Sequence, residues 1–204
     1  MSPRPSVEAE RRQDVLNATW ELITEVGYRK VRIADIAART GTSTGIIHYY
    51  FETKEDVLDA AFRFAVDDAH RRSEEALAGI EDPWERLTAL LDAHVPVGEA
   101  KKEWLIWLQL WNEAAVRPEL RALNDVYYGR WIDLVEGIVR DGQDRGTFRA
   151  VAARDVAVRL LTMMDGLVIQ LTMGSSEVDL ERFKDLLIGF ARDQLVVGVR
   201  GPAR

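Results

Sequence analysis

Two short helical patterns joined by a Gly-Thr-Ser turn, within residues 31–56, place the strongest constraint on how this chain can fold. The first pattern predicts a helix over about Ile33–Thr40, which Gly41 ends. The second predicts a helix that begins after Ser43, a favourable N-cap residue, and ends near Phe51. Two helices joined in this way form a helix-turn-helix, the unit that lays its second helix in the major groove of DNA.

The rest of the chain also has helical periodicity, and we find no alternating strand pattern, repeat or low-complexity tract. The sequence therefore predicts an all-α protein of about nine helices, with a small N-terminal three-helix domain over 1–53 and a larger helical domain over 54–204. The tail VGVRGPAR is expected to be frayed. The helices outside the motif are expected at about Ser6–Val26, from after Thr53 to about Leu77, from Pro83 to a stop around His94 to Gly98, and at about 101–115, 119–145, 153–173 and 179–197.

Composition excludes several classes of protein. The chain has no cysteine, so it can form neither a disulfide framework nor a thiolate metal site. Its start has no apolar core of a signal peptide, and no apolar run approaches the ~20 residues that span a bilayer, so a cytoplasmic protein without membrane contact is expected. The net charge of −7 lies entirely beyond residue 52, because residues 1–52 carry seven Lys/Arg and seven Asp/Glu. A neutral N-terminal module is compatible with DNA binding but does not by itself indicate it.

The helix after the turn has two distinct faces. Its apolar positions Ile47, Tyr50 and Phe51 are spaced to face a small core, which leaves the opposite side for solvent or DNA. Backbone N–H groups at its N-terminal end suit a phosphate or a base edge, and an isoleucine can contact a thymine methyl group. The candidate DNA contacts on this helix are Ser43, Thr44, Gly45, Ile46, His48 and Tyr49, and Lys54 is expected to reach a phosphate from the start of the next helix.

Residues 31–56 resemble the DNA-binding domain of the TetR family of bacterial transcriptional regulators. The resemblance lies in Asp35-Ile36-Ala37, Ser43 and Gly45, Tyr49-Tyr50-Phe51 and Lys54-Glu55-Asp56, with Val26-Gly27-Tyr28 before them. The segment QDRGTFR (143–149) resembles the family's joint between helices seven and eight. Thr44-Gly45-Ile46-Ile47 and the C-terminal half are most similar to the branch of the choline-responsive betaine repressors.

The chain departs from the family pattern at three positions near the motif. Arg32 stands where the family often has an N-cap threonine, which gives a poorer cap but keeps a phosphate contact. Thr42 replaces an apolar residue in the turn, and His48 replaces an aromatic residue or serine, which leaves base preference there open.

Six aromatic and acidic residues are candidates for an effector pocket. Trp104, Trp107 and Trp111 lie at i, i+3 and i+7 on one helical face. Such a stripe is either plain core or the wall of a cavity for a flat apolar ligand or a quaternary ammonium group. The other candidates are Tyr127, Trp131 and Asp165, of which the aspartate either points into this cavity or lies at a solvated or interface position.

The resemblance implies a homodimer that binds a near-palindromic double-stranded DNA operator and is released by a small-molecule effector of unknown identity. Its interface is expected on helices 153–173 and 179–197, through positions 157, 160/161, 164, 167/168 and 171 of one helix and 180, 183, 186/187 and 190 of the other. A repressor is favoured over an activator, and neither an enzyme nor a cofactor is expected.

Arg11 and Arg12 are candidates for a flexible basic arm on DNA, and two solvated arginines are the competing interpretation.

Two other function classes remain as alternatives. One is a helical protein-interaction module that does not bind DNA. The other is a serine esterase built on Gly41-Thr42-Ser43-Thr44-Gly45, but such an elbow requires a strand before it, whereas a helix is predicted there. The three scattered histidines lack the spacing of a metal site.

Overall fold

The structure is a computed structural model, and it describes residues 7–196, apart from the side chain of Glu99. Within this range the chain forms nine α-helices and a single 3₁₀ turn at Tyr28–Lys30, which the sequence did not predict. The expected tail over 197–204 and the predicted helix start at Ser6 lie outside the described residues. The helices are α1 (Val7–Val26), α2 (Ile33–Thr40), α3 (Thr44–Tyr50), α4 (Lys54–Leu77), α5 (Pro83–Ala93), α6 (Gly98–Ala114), α7 (Pro118–Asp144), α8 (Ala153–Thr172) and α9 (Leu180–Leu195).

Local capping sets the bounds of the N-terminal helices. Gly41 adopts the left-handed conformation (φ 65°) that ends α2, and its backbone N–H bonds back to the helix. Ser43 caps α3, because its side chain accepts a hydrogen bond from the backbone N–H of Ile46. Thr53 and Asp56 form a complete capping box at the start of α4. The predicted all-α fold and its helix-turn-helix are confirmed.

Helix α4 connects the two halves of the molecule. It packs against α1 of the N-terminal half and against α5 and α6 of the larger half. Val57, Leu58 and Ala61 are fully buried near its start, and Ala69 and Leu77 are buried near its end. A single apolar core therefore runs from α1 to α9, and the division of the chain at residue 53 stays a prediction.

The joint between α7 and α8 depends on one glycine. Gly142 lies against the ring of Phe148, where an added Cβ would come within 2.1 Å of Cδ2. Its carbonyl accepts hydrogen bonds from the backbone N–H groups of Thr147 and Phe148, at 2.9 Å each. After the turn, the Arg149 N–H donates to the carbonyl of Leu195 at 2.8 Å. The joint thus fixes the end of α9 beside the α7–α8 turn.

Most of the positions expected at a dimer interface are buried inside the chain itself and are not available to a partner, whereas a homodimer through these two helices stays a prediction. The buried positions point inward because α8 packs on α7, and α9 packs on α5 and α8. The most apolar faces of α8 and α9 are therefore covered within one subunit. The apolar side chains that remain exposed on the two helices include Val158, Leu180 and Leu186. The buried positions are Ala157, Leu160, Leu161, Met164, Val168, Phe183 and Leu187.

Candidate DNA-binding helix and effector cavity

Helix α3 presents a solvent-exposed face above a buried one. Ile47 is completely buried, Phe51 is buried, and Tyr50 packs partly against the same core. Tyr49 projects outward with 73% of its surface exposed. The remaining predicted contact residues, Ser43, Thr44, Gly45 and His48, are also exposed, and Ile46 is half-buried. The structure therefore brings this group together on one surface, as the periodicity predicted.

Two of the predicted phosphate donors already have partners within the protein. The Lys54 ammonium group donates to the carbonyl of Arg29 at 2.8 Å, which ties the start of α4 to the 3₁₀ turn. The Tyr49 hydroxyl donates to the carboxylate of Glu8 on α1 at 3.4 Å. Arg32 is exposed at the N-cap of α2, and its side chain makes no capping hydrogen bond, as expected for an arginine there.

The expectation of a flexible arm at Arg11 and Arg12 is corrected, because both residues lie within the regular helix α1. The Arg12 guanidinium lies 5.2 Å from the centroid of the Phe51 ring, within range of a cation–π contact. This contact places Arg12 beside the end of α3. Contact of either arginine with DNA stays a prediction.

A cavity in the larger half is lined by residues of α4, α6, α7 and α8 and by His94 at the end of α5. Trp104, Trp107, Trp111 and Trp131 form its aromatic wall, and Asp165 is in its lining, so these five candidates converge as one site. The centre of a water-sized sphere can range over about 30 Å³ inside it. For a spherical void this corresponds to a radius of roughly 3.3 Å, once the ~1.4 Å radius of the sphere is added.

One predicted pocket residue lies elsewhere, and three polar or aromatic lining residues were missing from the candidate set. Tyr127 packs edge-on against Phe62 and donates to Asp67, because one residue along α7 rotates the side chain by about 100°. Its neighbour Tyr128 lines the cavity instead, together with His94 and Glu103. Glu103 precedes Trp107 by one helical turn, so its periodicity could have revealed it. No sequence signal marks His94.

Asp165 is the cavity's desolvated acid. Its carboxylate accepts a hydrogen bond from the Tyr128 hydroxyl at 2.6 Å. Burial raises the pKa of Asp165 to about 6, and the Tyr128 hydrogen bond opposes part of that rise. A carboxylate held in an apolar wall without a cationic partner in the cavity is a site where a ligand's positive charge would be favourable.

Two of the cavity's four indole N–H groups have hydrogen-bond partners within the protein. Trp104 donates to the His94 carbonyl at 2.8 Å, and Trp111 donates to the Asn124 side chain at 2.9 Å. The His94 ring meets the Trp131 ring edge to face, with 4.7 Å between their centroids. Burial lowers the pKa of His94, so its imidazole is neutral near pH 7. The wall therefore offers aromatic surface without a fixed positive charge.

Polar contacts join the 3₁₀ turn to the larger half. The Arg29 guanidinium donates to the buried carboxylate of Glu113 on α6 at 2.6 Å. The Tyr28 hydroxyl donates to Asp59 on α4 at 2.6 Å, and Arg117 in turn donates to that hydroxyl at 2.9 Å. The DNA-binding end is thus attached to both α4 and the α6–α7 corner.

The esterase alternative does not fit this geometry. Ser43 caps a seven-residue helix and follows helix α2 rather than a strand. Among residues 7–196, no group of three or more acidic or histidine side chains is arranged to hold a metal ion. None of the described helices is long and apolar enough to cross a membrane.

Helix α3 is exposed on a three-helix unit, and the helical half that follows has its own cavity. These features define the class of helix-turn-helix proteins with a C-terminal ligand-binding domain. Residues 15–61 match the model of the bacterial regulatory proteins of the tetR family, and residues 83–196 match that of the BetI-type transcriptional repressor C-terminal domain. This chain belongs to the TetR family of transcriptional regulators and has the BetI-type C-terminal domain.

Individual relatives agree with this assignment over nearly the full chain. The HTH-type transcriptional regulator BetI 1 of Chromohalobacter salexigens is 30% identical, over 95% of this chain and 94% of its own. BetI of Stenotrophomonas maltophilia is 27% identical, over 95% and 97%. A transcriptional regulator from Saccharomonospora viridis, solved in complex with choline, is 37% identical with a TM-score of 0.85, over 92% of this chain and 98% of its own.

Proposed function

We propose that this regulator is a dimeric repressor that binds a near-palindromic operator in the cytoplasm and is released by a small quaternary ammonium compound of the choline type. The observation that carries the effector assignment is the convergence of four tryptophans and the desolvated Asp165 on one cavity. Regulation of transcription follows from the family, whereas the effector, the dimer and repression are proposals.

The chemistry of the cavity favours a cation that cannot form strong hydrogen bonds. Aromatic faces attract a quaternary ammonium group by about 0.5–2 kcal/mol each, and the attraction is larger where water is excluded. The Asp165 carboxylate supplies the counter-charge, and the Tyr128 hydroxyl beside it can hydrogen-bond to a small polar substituent. The cavity leaves about 30 Å³ for the centre of a water-sized sphere. This size suits a compact trimethylammonium group better than an extended ring system. The Saccharomonospora viridis neighbour, which holds choline, supports the same ligand class.

The proposed dimer would use the outer surfaces of α8 and α9. Leu180, Leu186 and Val158 expose apolar area there. Gly166 and Gly189 have no atom within 4 Å of where a Cβ would lie, so the backbones of two partner helices can approach closely at these points. Two-fold symmetry would place two α3 helices about 34–36 Å apart, one turn of DNA.

The effector proposal is tested by the tryptophan fluorescence of the purified protein. Choline should quench it saturably at pH 8, because the ligand contacts the indole rings directly. The matched control is 3,3-dimethylbutan-1-ol, in which a neutral carbon replaces the ammonium nitrogen. We expect choline to bind at least about tenfold more tightly, since only choline gains the cation–π and carboxylate interactions. Equal affinities for the two compounds would contradict a charge-selective site.

The DNA proposal is tested by sequencing the genomic fragments that the purified protein retains. We expect near-palindromic sites whose half-sites are separated by about one helical turn. The fragments should be released by choline at the concentration that quenches fluorescence. Retention of random sequence only would contradict an operator-specific regulator.

A further inference from the structure

One carboxylate belongs to the effector cavity and to an ion pair with α4 at the same time. Glu103 on α6 lines the cavity beside Trp104 and Trp107. Its side chain is 17% exposed, and it accepts a hydrogen bond from the guanidinium of Arg72 on α4. A charge placed in the cavity therefore acts on an interaction that holds α4.

Arg72 has a second partner on its own helix. Its Nε donates to the carboxylate of Asp68, one turn earlier, at 2.9 Å. If Glu103 leaves, Arg72 keeps a carboxylate partner and remains partly solvated, so the pair can break without leaving a buried charge unpaired. Arg72 therefore bridges a carboxylate on its own helix and one on α6.

The same helix carries the start of the DNA-binding surface. Lys54 is the first residue of α4, and Arg72 lies 18 residues further along, a distance of roughly 27 Å at ~1.5 Å rise per residue. A cleft lined by Trp20 of α1, Arg72 of α4 and Glu103 of α6 lies beside the ion pair. The indole N–H of Trp20 is buried there without a hydrogen-bond partner. A cleft and an unsatisfied polar group therefore lie where α1, α4 and α6 meet.

We propose that Glu103 is the positioning residue that couples the effector cavity to DNA binding, because a bound cation competes with Arg72 for its carboxylate. In the ligand-free protein the Arg72–Glu103 pair holds α4 against α6. A quaternary ammonium group in the cavity attracts Glu103 and repels Arg72. Arg72 then keeps only its bond to Asp68, and α4 is free to move relative to α6. The inference rests on the cationic effector proposed above.

The experiment measures the coupling factor, the ratio of choline dissociation constants with and without an operator fragment recovered as above. Linkage requires the operator affinity to change by the same factor, which is typically ~5–150-fold. We expect Arg72→Gln to bring the coupling factor toward one while choline still binds. Arg72→Lys should restore part of the coupling, because it keeps the charge. Glu103→Gln should lose both coupling and part of the choline affinity.

Arg71→Gln is the matched control. Arg71 is the neighbouring residue, but among the residues that the structure describes its ion pairs are with Asp68 and Glu75 on α4 itself. This variant removes the same charge from the same helix and should keep the wild-type coupling factor. Equal loss of coupling in the Arg71 and Arg72 variants would overturn the inference, since helix charge alone would then be responsible.

Measurements of operator binding without choline separate this inference from the effector proposal. Arg72→Gln and Glu103→Gln should each weaken operator binding about two- to fivefold, the range for a partly exposed ion pair, and the double variant no more than either alone. If the wild type does not bind choline, the effector assignment is wrong, and this comparison still decides whether the pair positions α4. Additive effects would overturn the inference. If choline binds and Arg72→Gln keeps the full coupling factor, the inference is wrong and the proposed effector stands.

Discussion

Asp165→Asn is expected to stabilise the ligand-free protein at neutral pH. Folding raises the pKa of this carboxyl to about 6, against an ordinary value of ~3.9, and each pKa unit corresponds to ~1.36 kcal/mol. Holding the ionised form in the folded protein therefore costs up to about 3 kcal/mol at pH 8. Asparagine has the same shape, carries no charge and can still accept the Tyr128 hydrogen bond. For a chain of this length the gain corresponds to a rise in Tm of roughly 6–12 °C.

The pH dependence gives the sign of the effect. Because the folded pKa lies above the unfolded one, the penalty is absent below about pH 4, grows between pH 4 and 6, and is constant above that. The difference in Tm between Asp165→Asn and wild type should thus be roughly half as large at pH 5 as at pH 8. Thermal melts at the two pH values measure it, and Asp125→Asn, at an exposed position of α7, is the control. A variant that melts at or below the wild-type temperature at pH 8 would refute the reasoning.

The same substitution should remove most of the choline response. Choline keeps its charge at every pH, so any pH dependence of its binding comes from the protein. With a pKa of about 6, only ~10% of Asp165 is ionised at pH 5, and choline should bind about tenfold more weakly there than at pH 8. Asp165→Asn should bind weakly at both pH values. Any residual pH dependence in this variant would point to His94, whose imidazole also lines the cavity.

Three further substitutions test the joint and the DNA-binding surface. Gly142→Ala should destabilise the protein by about 1–3 kcal/mol in a denaturant titration, because the new methyl group meets the Phe148 ring. The control is Gly137→Ala, whose methyl group meets no atom within 4 Å. It should be neutral or stabilise the protein by up to ~1 kcal/mol in the same titration. Lys54→Ala should weaken binding to all DNA sequences about equally and lower the salt slope by about one, and an unchanged slope in fluorescence anisotropy would contradict a phosphate contact. Arg12→Ala should lower the free energy of unfolding by the ~0.5–1 kcal/mol of an exposed cation–π contact with Phe51, and Tm with it. A DNA affinity that is unchanged after correction for folding would exclude a DNA contact.

The helix bounds of the N-terminal half and the orientation of α3 followed from the sequence alone. The caps at Ser43 and at Thr53 with Asp56 act between residues three apart, so they need no knowledge of the rest of the chain. Likewise, the spacing of Ile47, Tyr50 and Phe51 fixes which side of α3 is buried. The exposed face that carries Thr44 and Tyr49 is therefore determined by local rules, and the most specific part of the family resemblance lies in the same short segment.

The cavity and the outer faces of α8 and α9 were decided only by tertiary packing. A single-helix pattern gives a face but not its neighbour, so it could not distinguish Tyr127 from Tyr128 at the cavity or show that Ala157 and Phe183 are covered within one subunit. The approach of Arg72 to Glu103, 31 residues later, depends on how α4 and α6 cross. Interactions within one helical turn are encoded locally, whereas the partners that surround Asp165 come from helices far apart in the chain and exist only once the core has formed.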